Sequence, residues 1–327
     1  MRKILKNVTI IVPKGNSNLS SISGSYEIFN RANSIWKSKK NKSIFDVKIA
    51  SFEAHIPLQN GYFTIHPTDI RSIKKSDLII IPSVAYDYEK ANNENQELIQ
   101  WLSDQHKKGA EIASICTGAF LLAATGILDG KTCSTHWNAA ADFRKMFPKT
   151  NLQLDKLIHE EPGIYTNGGA YSFLNLMLFL VEKYGDKETA ILCSKVFQIE
   201  FDRTCQSPFF IFKGQKTHGD QVIMEAQNYI EAHITERISF EELAFKLAVS
   251  RRNFDRRFVK ATGNTPVEYL QRVKVEVAKQ TLEEGNKSVA EVMHEVGYAD
   301  DKAFREVFKK ITSLSPIDYK AKFSEQV

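Results

Sequence analysis

Cysteine is scarce and scattered: Cys116, Cys133, Cys193 and Cys205 are the only four in 327 residues, with no CxxC pair among them. That spacing argues against a disulfide framework and the common zinc-ligand patterns, so neither a metal site nor a cofactor is expected, and a reducing compartment fits. No apolar run approaches the roughly 18 residues that would suggest a membrane-crossing helix. The opening MRKILKNVTIIVP has basic residues and then an apolar stretch too short for a secretion signal, without a small-residue cleavage site. A cytoplasmic protein with no membrane partner is expected. Glycine (16) and proline (9) are too few, and hydrophobic residues at 43% too many, for a disordered or collagen-like chain. Strong charge imbalance is missing as well. The net +5 divides into 25 Lys+Arg against 21 Asp+Glu in residues 1–212 and 19 against 18 beyond. Bulk charge therefore points to no partner, and any nucleic-acid site has to come from local arrangement.

The length suggests two domains. In the first two hundred residues, short β-branched runs alternate with helical patterns. Val8 to Val12, Val47 to Phe52, Leu78 to Ile81 and Glu111 to Ile115 read as strands, several apolar on both sides as in a covered parallel sheet. Tyr26 to Asn33, Asn95 to Lys107, Gly118 to Thr125 and Tyr171 to Tyr184 read as helices, giving an α/β layered domain. Lys37, Lys39, Lys40 and Lys42 read as an exposed loop. Around residues 213–221 the chain is polar and Gly-containing without periodicity, and a linker is expected there. The expected division is therefore 1–212, linker 213–221, and 222–327.

Residues 222–327 read as almost entirely helical and contain an internal repeat. Leu243, Leu247, Phe254, Phe258, Thr262, Pro266 and Tyr269 recur as Val292, Val296, Phe304, Phe308, Thr312, Pro316 and Tyr319. The offset grows by one residue in the middle, as if the second copy had a longer turn. Each copy has a short helix, a tight turn and a second helix, the spacing of a helix-turn-helix. Ser250 is placed to cap the second helix of the first copy, and Gly263 and Gly297 suit turns of positive φ. At 100° per residue, Phe254, Phe258 and Ala261 of that helix face inward, whereas Arg252 and Arg256 point away with Asn253 and Lys260 on one flank. Such a face suits guanine and phosphate contacts, so double-stranded DNA is the expected partner, with Arg251 also a candidate. The matching face of the second copy carries Lys302, Arg305, Glu306 and Lys309, with Asp300 and Asp301 at its start. Glu306 repels phosphate, so this copy is expected to contribute less affinity.

This region resembles the DNA-binding domain of the AraC/XylS family of transcription regulators. The resemblance rests on LAFKLAVSRRNFDRRFVKATGNTPVEYL and VAEVMHEVGYADDKAFREVFKKITSLSPIDYK, and it implies two helix-turn-helix units joined by a long helix, Val267 to Leu282. Two departures, Met293 for the family's Ala and Ser313 for its Gly, read as packing changes.

In the first domain, a strand runs into Ser-Ile-Cys-Thr-Gly and then an Ala/Leu helix. That is the form of a nucleophile elbow, where Gly118 permits the bend and the helix N-terminus is expected to lower the pKa of Cys116. The stretches SICTGAFLLAATGILDGKTCSTHW, SYEIFNRAN and YTNGGAYSFLNLMLFLVEKYG are similar to the ThiJ/PfpI, class I glutamine-amidotransferase-like fold, over about residues 5 to 200. Ahead of an AraC-type domain, the arrangement matches the GlxA-like regulators. The resemblance implies a doubly wound, mostly parallel, flavodoxin-like sheet. It also implies that Cys116 is accompanied by Glu27 from the first helix and by His136. Enzymatic relatives often have His after the Cys, where this chain has Thr117, and a Gly pair after the third sheet strand, where it has Ser83 and Val84. The trio is accordingly expected to be vestigial rather than catalytic.

A pocket is expected at the C-terminal ends of the strands, lined by Glu27, Ser83, Cys116, Thr117, His136, Gly168 and Gly169. The combined reading is a DNA-binding transcription regulator whose first domain senses a small-molecule effector or dimerises, acting with the transcription machinery as a homodimer. The alternative is a Cys-dependent hydrolase or glyoxalase-like enzyme fused to a DNA-binding domain.

Overall fold

The computed structural model describes residues 5–85, 87–201, 205–216 and 218–325. The chain forms two compact units, Met1–Gln206 and Ser207–Val327. In the first, β1 (Lys6–Ile11), α1 (Leu19–Lys40) and β2 (Phe45–Ser51) lead into a hairpin of β3 (Ile56–Leu58) and β4 (Phe63–Ile65) and the short β5 (Thr68–Asp69). Next come β6 (Leu78–Ile81), α2 (Tyr88–Glu94), α3 (Gln96–Lys107), β7 (Glu111–Ile115) and α4 (Ala119–Ala124). β8 (Thr132–Cys133), α5 (Ala140–Met146), β9 (Asn151–Leu152), β10 (Ile158–Glu161), β11 (Ile164–Asn167), α6 (Phe173–Tyr184) and α7 (Lys187–Phe197) complete the unit.

The main sheet has seven strands in the order β10-β11-β7-β6-β1-β2-β5. All its pairings are parallel except β10 with β11. This is the doubly wound, mostly parallel sheet expected. Residues of α1, α6 and α7 pack on one face and those of α2 to α5 on the other. β6 is buried at all four positions, which is why LIII shows no alternation.

The first helix is longer than its pattern suggested. The SSISGS segment lacks apolar periodicity, but Ser23 and Ser25 donate to the Leu19 and Ser21 carbonyls, satisfying their hydroxyls inside the helix. Asn18 caps its start by accepting from the Ser21 N–H at 3.0 Å. The lysines read as a loop prove partly helical: Lys37, Lys39 and Lys40 occupy the last turn of α1, where cations meet the negative end of the helix dipole.

In the second unit α8 (Gln221–Ala232), α9 (Phe240–Lys246), α10 (Arg251–Thr262) and α11 (Pro266–Glu283) precede α12 (Val289–Glu295), α13 (Asp301–Thr312) and α14 (Pro316–Phe323). The turn between α9 and α10 is one residue shorter than that between α12 and α13: the caps are Ser250 and Asp300. The repeat extends to side-chain geometry. Phe254, Phe258 and Tyr269 pack in sequence, tilted and then edge-to-face, at centroid spacings of 5.6 and 5.3 Å, and Phe304, Phe308 and Tyr319 do the same at 5.8 and 5.5 Å. Both tyrosine hydroxyls donate to a glutamate, Tyr269 to Glu231 and Tyr319 to Glu283.

Residues 207–216 and 218–220 belong to the second unit and pack within it, so the described part of the expected linker is a packed strap. Phe212 joins the first helical core and donates its N–H to Glu276, and the Gly214 carbonyl accepts from Gln227 and from the Tyr269 hydroxyl. Thr217 of the same stretch lies outside the described residues. The partners sit far along the chain, so the polar, aperiodic local sequence read as unanchored.

Ser313 is more than a packing change. It takes φ 63° at the C-cap of α13, where the first copy has Gly263 at φ 70°. A non-glycine residue is strained in that region. Ser313→Gly should therefore stabilise the second unit by about 0.5–1 kcal/mol, and Gly263→Ser should destabilise it comparably. Urea denaturation with an unchanged m-value checks this, and equal midpoints for Ser313→Gly and the parent would contradict it.

Candidate functional site

The loops after β1 and β6 diverge, one toward α1 and the other toward α2, which makes this the switch point of the sheet. They are tied to each other before they part. The Asn18 N–H donates to the Ser83 carbonyl and the Ala85 N–H to the Asn16 carbonyl, both at 2.9 Å. A cavity of about 270 Å³ lies over this junction, bounded by Asn16–Asn18, Ser83–Ala85, Cys116, Thr117, His136 and the hairpin residue Gln59, among others. Among the described residues, none that lines it carries a carboxylate, ammonium or guanidinium group. The Ser17 hydroxyl on this wall is buried and has no hydrogen-bond partner among the described residues.

Cys116 sits at the turn from β7 into the following helical segment with φ 53°, the strained conformation of an elbow. Gly118 makes the turn possible: a Cβ there would lie 2.5 Å from the Pro82 carbonyl oxygen and 2.8 Å from that of Ile81. The thiol does not behave as the helix N-terminus suggested. Burial pushes its pKa up, only partly offset by hydrogen bonds involving Ser83 and Thr117. Thr117 also ties the elbow to the loop after β6. Its hydroxyl accepts from the Val84 N–H at 3.1 Å and donates to the Val84 carbonyl at 2.6 Å, with the Ser83 hydroxyl 2.7 Å away. The Val84 N–H is thus already engaged.

His136 lines the cavity, and burial holds its pKa below the ordinary imidazole value. Its Nδ1 accepts from the Asn138 N–H at 3.2 Å, which places the proton of the neutral ring on Nε2. Ser83, Cys116, Thr117 and His136 are brought together as expected, whereas Glu27 is not. It is exposed on α1 and absent from the cavity wall, because only the N-terminal end of that helix reaches the junction.

Gly168 and Gly169 also do not line the cavity; Ala170 does. The Gly168 N–H donates to the Leu157 carbonyl, and a Cβ on Gly168 would lie 2.0 Å from the Gln206 amide nitrogen. Gly169 has φ 86°. The glycine pair therefore serves packing and a turn. Asn16, Ser17, Asn18 and Tyr88 were not foreseen, since loop polarity and a helical aromatic carry no signal of a shared wall.

In the second unit, Phe254 and Phe258 are fully buried while Arg252, Arg256 and Lys260 are exposed on α10. Arg256 donates to the Asn253 side chain at 3.0 Å, which orients both. Arg251 is held by Asp255 at 2.9 Å and lies over the Phe240 ring. On α13 the equivalent pair is reversed: Arg305 is held by Asp301 at 2.6 Å. Lys302 and Glu306 lie 4.0 Å apart, and Lys309 is exposed. Arg257 instead anchors α10 to the start of α8 through Asp220, whose carboxyl it holds below the usual carboxylate range.

Residues 35–183 match the DJ-1/PfpI family, and residues 243–322 match the helix-turn-helix domain family. The chain is 27% identical over 224 residues to the HTH-type transcriptional regulator GbdR of Pseudomonas aeruginosa, covering 68% of this chain and 61% of GbdR. It is 24% identical over 213 residues to the HTH-type transcriptional regulator GlxA of Rhizobium meliloti, 64% of each chain. A crystal structure of a candidate transcriptional regulator from Vibrio parahaemolyticus aligns with TM-score 0.53 at 25% identity, covering 59% of this chain and 99% of the other.

Thiol reactivity should follow burial. In the folded protein at neutral pH, half-exposed Cys205 should alkylate first. Cys116 should lag with Cys133 and Cys193, whose pKa values burial pushes up to about 11. Peptide mapping after timed iodoacetamide exposure measures the order, and labelling of Cys116 ahead of Cys205 would contradict it.

Proposed function

The chain joins a DJ-1/PfpI family domain to an AraC-type helix-turn-helix domain, and from that pairing we propose that it is a sequence-specific DNA-binding transcription regulator whose first domain senses a small molecule. The observation that carries the reading is the outward row of α10. Arg252 and Arg256 are one turn apart, exposed, and opposite the buried Phe254 and Phe258. Guanidinium groups so placed can reach guanine O6 and N7 in the major groove, with Asn253 and Lys260 at their side. Arg251 and Arg305 are partly neutralised by their own aspartates and contribute less. On α13 the proximity of Lys302 to Glu306 offsets the lysine's charge, leaving Lys309 for phosphate.

The effector site in this reading is the cavity at Ser83, Cys116, Thr117 and His136. Its uncharged polar wall favours a small hydrogen-bonding ligand. Turnover at Cys116 is no part of the proposal: the thiol is buried, Glu27 is absent from the cavity wall, and the Val84 N–H is engaged by Thr117. Homodimerisation, contact with the transcription machinery and a cytoplasmic location belong to the same reading.

The test is quantitative binding of the full chain to an operator recovered by genomic selection and to a scrambled duplex. Arg256→Ala should weaken specific binding about tenfold or more, since a bidentate guanine contact is worth roughly 1–3 kcal/mol. Lys302→Ala should cost less. A larger loss at Lys302 would make the second unit the dominant reader, and no selected operator at low salt would refute the regulator reading.

A further inference from the structure

His55 and His66 are eleven residues apart and belong to no metal-ligand spacing in the sequence. The β3–β4 hairpin brings them together. Ile56 pairs with Ile65 across the hairpin, and the two histidines stand one residue beyond that pair, one at the foot of each strand. Their Nδ1 atoms are 2.8 Å apart, with the rings nearly perpendicular at 82°. Both side chains are exposed.

A neutral imidazole has one N–H and one lone pair. At this separation one Nδ1 donates to the other, so the two Nδ1 atoms face each other across the foot of the hairpin. Two imidazole nitrogens this close can also form half of a metal coordination sphere. With metal–nitrogen bonds of about 2.0 Å, two ligands are about 2.8 Å apart at a right angle and about 3.3 Å apart at a tetrahedral one. The observed separation therefore already matches that of two ligands of one ion, and the exposed rings need only turn about their side-chain bonds so that both Nδ1 lone pairs meet at the ion instead of lying along the line between them.

We propose that His55 and His66 form a bidentate site for a divalent late transition metal, the class preferred by imidazole ligands, such as Ni2+, Cu2+ or Zn2+. Among the described residues no group of three or more His, Cys, Asp and Glu is arranged to hold a metal, so water completes the coordination. The position has a consequence for the cavity. Ile56 and Leu58 anchor β3 in the core, and Gln59, at the start of the turn, lines the cavity wall. An ion across the foot of the hairpin joins the two strands that carry Gln59 and stiffens that part of the rim.

Isothermal titration of the untagged full chain with NiCl2, in a non-chelating buffer above the imidazole titration range, tests the site. One ion should bind per chain. His55→Ala and His66→Ala should each weaken binding at least about tenfold, while His294→Ala, at an exposed position on α12, should not. Amide exchange across Gln59 to Tyr62 should slow on adding NiCl2 to the parent. Matching metal-free melting curves establish that the variants fold, as expected for exposed rings. Failure of the parent to bind, unchanged binding in either histidine variant, or an equal loss in His294→Ala would overturn the proposal.

Discussion

The backbone of Gly118 passes so close to the end of β6 that no side chain fits between them, and the Pro82 and Ile81 carbonyls occupy the space. This close approach forces the sharp turn, with Cys116 at positive φ just before it. It also sets Thr117 against Val84, where one hydroxyl accepts the N–H and donates to the carbonyl of the same residue. The loop after β6 is thereby locked to the elbow on one side and to the loop after β1 on the other. The cavity is what remains above those two locks. Its wall is assembled from backbone ties and side chains such as Ser17, Ser83, Thr117 and His136.

The second unit depends on α11 in a comparable way. One end of this helix contributes Tyr269 and Val273 to the first helical core, and the other contributes Val275, Ala278 and Leu282 to the second. A single rigid helix thus belongs to both copies of the repeat. Glu231 on α8 and Glu283 on α11 accept from corresponding tyrosines, so α8 and α11 hold equivalent places in their copies. Duplication has preserved the buried aromatic geometry while the outward faces diverged. Arg251 with Asp255 became Asp301 with Arg305, and Arg252 with Arg256 became Lys302 with Glu306.

That contrast follows from what each face contacts. Inward positions answer to close packing, where replacing one aromatic disturbs every neighbour. Outward positions answer only to solvent and to whatever binds there, so charge can be redistributed at small cost to stability.

The sequence by itself determined the α/β layering of the first domain, its central strands and the helix-turn-helix repeat, because apolar periodicity, capping residues and glycine turns act over a few residues, while the double winding came from the family resemblance. Leu78 to Ile81 and Glu111 to Ile115 were legible to the residue for that reason. The extra residue in the second turn showed in the spacing of the repeat alone. Cys116, Thr117 and Ser83 could be placed at one site because strand ends in such a sheet gather on one side, and His136 was added to them by the family resemblance. Only the tertiary structure decided that Glu27 is absent from the cavity wall, that Gly168 makes room for Gln206 and that residues around Gly214 have partners such as Gln227 and Tyr269. It alone set the protonation of Cys116, since desolvation depends on every atom packed around the sulfur. The meeting of His55 and His66 has the same origin: hairpin register brings side chains into contact across strands, and no local pattern records it.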